Sequence, residues 1–450
     1  MIGIVLLLIA IFLYFRPRYR YFSYFLYLSF MMGVGGGFGL WTDDILGCKN
    51  MDLAIIYTFV ISILLLCKRQ YKIPKWSFVT QYKWFVVFMF SSILFSFLYY
   101  HFSPYQILQG GRSFLLLFSF PILVSMSKDN FNKVFRLLLK ICVLTCILYI
   151  LQIATKTALM PYGDFSIDES TGLPRFYNFP ANLDIFLALT FLKPDLFGKR
   201  VNLYRILFFI ALVCTLGRTM IMTSILLIFL ALLFAGKVKK IGSAMIIVAL
   251  LLLPLMDTIS SRFSNGGTSD FADIQAGNFK EGYVQGRDQG TMLYRFAWVY
   301  ERYDYIIHRP LGEQIFGLGL ISDSQPWVDR HYHFNIGLMN PSRTGAVQLS
   351  TPDISYGNIL TKLGFLGSAI YLFFILTLII FSFKNRKKNV FLLLTSASLI
   401  MLLINSFSGS AMSETRTFAI YFMFFSLINS FKKNNDENST HRIGIGQSNA

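Results

Sequence analysis

The stretch TPDISYGNILTKLGFLGSAIYLFFILTLIIFSFKNRKK, residues 351–388, decides how the whole chain is read. It opens polar around Asp353, passes Gly364 and Gly367, and then runs from Phe365 to Phe383 without a charge. A helix of about 20 apolar residues matches the hydrocarbon thickness of a bilayer. The run then stops on Lys384, Arg386, Lys387 and Lys388, the cationic ending expected on a cytoplasmic face. The same pattern recurs along the 450 residues, which are 55% hydrophobic, 17% aromatic and only 14% charged. That composition excludes a disordered chain and argues against an ordinary soluble domain.

Working outward, apolar spans are expected at 2–15, 21–40, 52–67, 83–100, 113–127, 134–154, 180–193, 203–217, 219–235, 241–256, 355–383, 389–409 and 414–431. Backbone amides in hydrocarbon need internal partners, and these runs are too long for barrel strands, so the spans are helices. The expected fold is an all-α, polytopic integral membrane bundle of 12 or 13 helices. The count turns on whether 2–15 crosses or lies at the surface. The cations of this first run follow it, whereas a secretory signal would carry them first. The organisation is then an N-terminal bundle over 1–256, a large outer loop over 257–353, C-terminal helices over 354–431 and a cytoplasmic tail over 432–450.

The net charge of +18 invites a nucleic-acid partner, and its placement rejects one. Lys and Arg collect in alternate connections, such as Arg16 to Arg20, Lys68 to Lys75 and Lys237 to Lys240, which marks those connections as cytoplasmic. That side holds 26 of the 41 basic residues against four acidic ones; the outer side holds 15 basic and 19 acidic. Outside, 11 of the 15 cations are Arg; inside, 17 of the 26 are Lys. Topology is indifferent to that choice, but phosphate recognition favours the rigid Arg fork. Ordinary pairing with the outer acids is the competing explanation. The five cysteines lie in or beside spans without ligand-like grouping, so neither a disulfide framework nor a metal site is expected.

Four outer connections carry isolated arginines: QGGRS (Arg112), TGLPRFYNFPANL (Arg175), LGRTM (Arg218) and SETRT (Arg416). Arg218 has almost no loop around it, and a cation at such depth either binds an anion or snorkels to the interface. GVGGGFG (Gly33 to Gly39) lacks the Lys and the strand–helix setting of a phosphate loop and reads as close packing. In the large loop a helical pattern runs over 291–308 and stops before Pro310. Arg295, Trp298 and Arg302 share one face of it, which suits an amphipathic helix lying at the headgroups, as an anion binder or as a plain interfacial anchor. His331 and His333 have no third ligand at a recognisable spacing, so a metal site there is not expected.

Three features in order resemble the O-antigen and capsular polysaccharide polymerase and O-antigen ligase superfamily. They are a polytopic bundle, the GRT arginine between mid-chain spans, and a loop carrying R-x-x-W and then P-x-G…G-x-G. Members of the ligase type place a His-Asn pair eleven residues before the first glycine of a G-x-x-G turn. In this chain the turn is Gly364/Gly367, and counting back reaches Asp353 followed by Ile354. The resemblance implies a GT-C-like glycosyltransferase of the bacterial inner membrane, with its active site facing the periplasm or cell exterior. It would transfer a glycan from undecaprenyl pyrophosphate to a sugar hydroxyl on another lipid-linked repeat unit. Asp353 would be the general base, and His331 or His333 would take that role should Asp353 only cap the helix that follows. Arg218, Arg295, Arg302 and Arg175 would hold the pyrophosphate, with no metal and no cofactor. The partners implied are the lipid-linked oligosaccharide, the lipid bilayer, a flippase and a chain-length regulator. A ligase acting on lipid A core and a lipid-linked oligosaccharide flippase are the alternatives. A flippase would show internal repeats, polar mid-span residues and short connections, whereas this sequence has no half-to-half repeat, spans nearly free of charge and a long outer loop over 257–353.

Overall fold

The computed structural model describes residues 2–33, 36–41, 49–161, 165–167, 172–237, 242, 275–277, 291–337 and 348–428. The span expected at 241–256, most of the loop over 257–290 and the tail over 432–450 lie outside the described residues. Described helices in chain order are α1 (Ile2–Tyr14), α2 (Arg20–Met31), α3 (Asn50–Cys67), α4 (Val79–Leu98), α5 (Pro104–Leu115), α6 (Phe120–Val124) and α7 (Lys128–Thr155). They continue with α8 (Leu183–Leu192), α9 (Val201–Cys214), α10 (Arg218–Phe234), α11 (Thr291–Ile307), α12 (Leu311–Phe316), α13 (Pro326–His331), α14 (Ser355–Lys384), α15 (Val390–Asn405) and α16 (Thr415–Ile428). Among the described residues, five helical segments are long and apolar enough to cross a membrane: α3, α4, α5 with α6, α7 and α14. The chain is an all-α membrane protein by these helices. Only one short hairpin interrupts the described helices: β1 (Phe165–Ile167) pairs antiparallel with β2 (Pro174–Phe176).

Among the boundaries that differ from the hydropathy reading, two move furthest, each for a local chemical reason. Arg112 was expected in a connection, yet it lies inside α5. Ser103 accepts from the Gln106 amide while the Gln106 side chain accepts from Ser103, and Pro104 takes the first helical position, so the helix starts early. Arg112 is tolerated there because Asp52 of α3 lies 3.5 Å away. The expected span 21–40 ends as a helix at Met31, because Gly33, Gly36, Gly37 and Phe38 adopt positive φ and turn the chain. A Cβ at Gly36 would sit 2.3 Å from Asn50, so this glycine run does serve close packing, as a tight turn.

The loop-bearing end of the bundle is built by backbone approach. Gly364 (φ +65) breaks α14 into two helical pieces, and a Cβ there would lie 2.5 Å from the Gly317 nitrogen. Gly317 (φ +77) needs the same freedom, and the adjoining Leu318 amide donates to the Thr361 carbonyl at 2.7 Å. The loop glycines and the α14 glycine are thus one contact, which fixes α12 on the bundle.

Candidate functional site

The helix expected at 291–308 forms as Thr291–Ile307, but the Trp298 and Arg302 part of its Arg–aromatic face is packed against the protein. Trp298 and Arg302 are both fully buried, and a Cβ at Gly357 of α14 would meet Trp298 at 2.2 Å. The Arg302 guanidinium sits between the Trp298 and Phe334 rings, 4.1 and 4.3 Å from their centroids. It donates to the Gln348 carbonyl at 3.2 and 3.3 Å and to Glu301 at 2.6 Å. Glu301 in turn accepts from the Asn335 and Ile336 amides. Burial lowers the Arg302 pKa to about 10, partly offset by the Glu301 charge. With both ring faces stacked and its donors committed inward, Arg302 has no open face for a pyrophosphate. The expectation of Arg302 as an anion ligand is corrected to a brace of the loop.

The other expected residues scatter. Arg295 is partly buried on the same helix. Arg175 lies on β2 over the Tyr177 ring, with Tyr149 of α7 nearby. The backbone of Arg218 opens α10, after Gly217 at the N-cap, and its side chain lies outside the described residues. His331 ends α13 and stacks on Trp327 at 3.8 Å, while His333 is exposed two residues on. Tyr332 between them is buried, with its hydroxyl donating to the Leu318 carbonyl. Both histidines therefore point away from the packed side of their segment. Among the described residues, no group of three or more His, Cys, Asp or Glu side chains could hold a metal ion.

A polar cavity of about 370 Å³ opens where the loop re-enters the bundle. Ser113 and Phe114 of α5, Ser350 to Pro352 of the loop, Asn358 and Lys362 of α14, and Ser410, Ser413 and Glu414 before α16 line it. Each wall has a reason to be where it is. Asp323 accepts from the Gln348 and Leu349 amides at 3.0 and 2.7 Å and from the Ser350 hydroxyl, which pins the re-entering segment. Asn358 clamps Thr351 at both backbone groups, 2.8 and 2.6 Å. Thr415 donates to the Ser113 carbonyl, so SETRT and QGGRS, far apart in sequence, share one rim. Arg416 pairs with Glu414 and donates to the Gly33 carbonyl at 2.8 Å, bringing the glycine turn alongside.

Lys362 is the cation of this cavity. Its ammonium donates to the Gly110 carbonyl at 3.3 Å, with Arg112, Asp323 and Glu414 as charged neighbours. Asp353 lies one residue past the lining, and the Thr351 hydroxyl donates to its carboxylate at 3.4 Å. The alternative role for Asp353, a cap of the following helix, is not made: Ile354 holds the N-cap of α14 with no side-chain bond. Tyr294 of α11 is the aromatic neighbour of Thr351 and Asp353, its phenol pKa raised by burial. Sequence reasoning missed Lys362, Glu414 and Asn358. The available signal was Lys362 itself, a cation two residues before the glycine break of an apolar span. Compared with known protein families and with curated proteins, the chain matches none.

Proposed function

We propose that the chain is a metal-independent membrane glycosyltransferase that lengthens a polysaccharide at the outer face of a bacterial inner membrane. Its bundle would be of the GT-C kind, with the full 12 or 13 helices. The observation that carries this reading is the cavity itself: five hydroxyls, an amide, one carboxylate and one lysine at the loop-bearing end of an apolar bundle. That donor set suits a sugar with a negatively charged leaving group, and little else would need it at this depth.

In the proposed reaction the acceptor hydroxyl oxygen attacks the anomeric carbon of the donor glycan. The glycosidic bond to undecaprenyl pyrophosphate breaks, and the lipid pyrophosphate leaves with the electron pair. Lys362, the cation that lines the cavity, stabilises that charge. The acceptor proton goes to Asp353, whose carboxylate reaches the cavity wall through Thr351. Purified protein supplied with lipid-linked repeat units tests this. A ladder of products of two or more units supports the polymerase. Transfer of a glycan only to a lipid A core acceptor selects the ligase, and movement without a new glycosidic bond overturns the enzyme reading.

A further inference from the structure

Away from the polar cavity, the faces of α3 and α4 form an apolar groove. Its half toward the loop-bearing end, about 440 Å³, is bounded by Phe59, Phe90, Ile93, Ile107 and Leu115. The other half, about 450 Å³, is bounded by Ile63, Leu66, Tyr71, Lys83 and Val87. Phe59 and Phe90 belong to both, so the two halves are continuous. Lys83, Val87 and Phe90 follow one another at helical spacing on α4, which puts the ammonium at the head of an apolar stripe.

Lys83 is the anomaly. It lies one turn inside a 20-residue apolar helix and has no ion pair among the described residues. None could come from nearby sequence, since no Asp or Glu occurs between Asp52 and Asp129. The connection at this end of the groove adds Lys68, Arg69, Lys72 and Lys75. Lys83 is exposed one turn from the start of α4, where a lysine stem runs along apolar surface and its ammonium reaches the headgroup level, so the anion nearest to it is a lipid phosphate. Clustered basic residues beside a span are also how proteins hold anionic headgroups.

We propose that this groove holds one anionic phospholipid of the cytoplasmic leaflet, its phosphate on Lys83 and an acyl chain along Ile63, Val87 and Phe90. The net-negative headgroup, and not a zwitterionic one, follows from Lys83 on the groove wall and from the basic connection beside it, with no Asp or Glu between Asp52 and Asp129 to neutralise them. The half toward the loop-bearing end has no cation and takes only hydrocarbon. This inference does not rest on the proposed glycosyl transfer.

The full-length protein, purified in mild detergent and exchanged into mixed micelles, is examined by native mass spectrometry. Phosphatidylglycerol and phosphatidylcholine of matched chains compete for it. One phosphatidylglycerol is expected to remain bound in preference to phosphatidylcholine. Lys83→Gln should weaken that retention about fivefold, the effect of losing one lysine at a headgroup. Lys83→Arg should keep it, and Phe90→Trp, which fills the groove without touching charge, should reduce retention of both lipids. Equal retention of the two lipids by the parent overturns the proposal, as does unchanged retention in Lys83→Gln. Displacement of phosphatidylglycerol by an equimolar polyprenyl phosphate would also overturn it, because the occupant would then be a substrate-type lipid.

Discussion

Arg302 on α11 and Lys362 on α14 are both cations at the loop-bearing end, and their surroundings use them in opposite ways. Arg302 spends its donors on Gln348 and Glu301 and its two faces on Trp298 and Phe334. Among the described residues Lys362 makes one hydrogen bond, to a carbonyl, and it borders a cavity of hydroxyls. A planar guanidinium with five donors suits a brace, since it can tie several strands at once. A lysine with one bond made keeps donors available for a ligand. The conspicuous motif of the loop therefore builds the frame, and a quiet residue occupies the opening.

The largest effect that can break this comparison is on folding. Arg302→Ala leaves Glu301 and the Gln348 carbonyl without their cation, a loss of about 3–5 kcal/mol for a buried pair. The expected outcome in a thermal unfolding series is a protein that is poorly recovered or melts far below the parent. A parent-like melting temperature with lost activity would put Arg302 back among the ligands.

Next in size is Asp353→Asn. The variant should fold like the parent, because Asp353 does not cap α14, and lose about 10²–10⁴-fold in transfer rate as a missing general base. Rates are to be read on purified protein with lipid-linked repeat units. Full activity would move the base to Glu414, the carboxylate that lines the cavity, ahead of His331 or His333.

A smaller effect sharpens the account of the frame. Gly364→Ala forces a side chain into positive φ and against the Gly317 backbone, costing about 1–3 kcal/mol from strain alone. The expected readout is a lowered melting temperature with residual activity in the protein that remains folded. The smallest effect is expected at the loop surface. His331→Ala removes a ring stacked on Trp327 at an exposed position, so stability should change by about 0.5 kcal/mol or less and activity should hold.

Hydropathy carried most of the architecture, because hydrocarbon imposes length and apolarity on each span separately. The helix at 355–384 was legible for the same reason, and the one at 291–307 from its helical spacing and the stop before Pro310. What misled was a local rule applied to a residue with a distant partner. Arg112 read as a loop arginine because Asp52, sixty residues earlier, is invisible to a window around QGGRS. Arg302 read as an exposed anion ligand because its helix is amphipathic, and only α14 shows which face is covered. The cavity was illegible for a third reason. Ser113, Thr351, Lys362 and Glu414 come from four separate segments, brought together by Asp323, Asn358 and Thr415, and of these segments SETRT was read only for its arginine.

The most direct test of the cavity as the transfer site is the product ladder of purified Lys362→Gln. Measured beside the parent on lipid-linked repeat units, the variant is predicted to melt with the parent and to make no product longer than the single unit. A full-length ladder from a correctly folded Lys362→Gln would contradict the account.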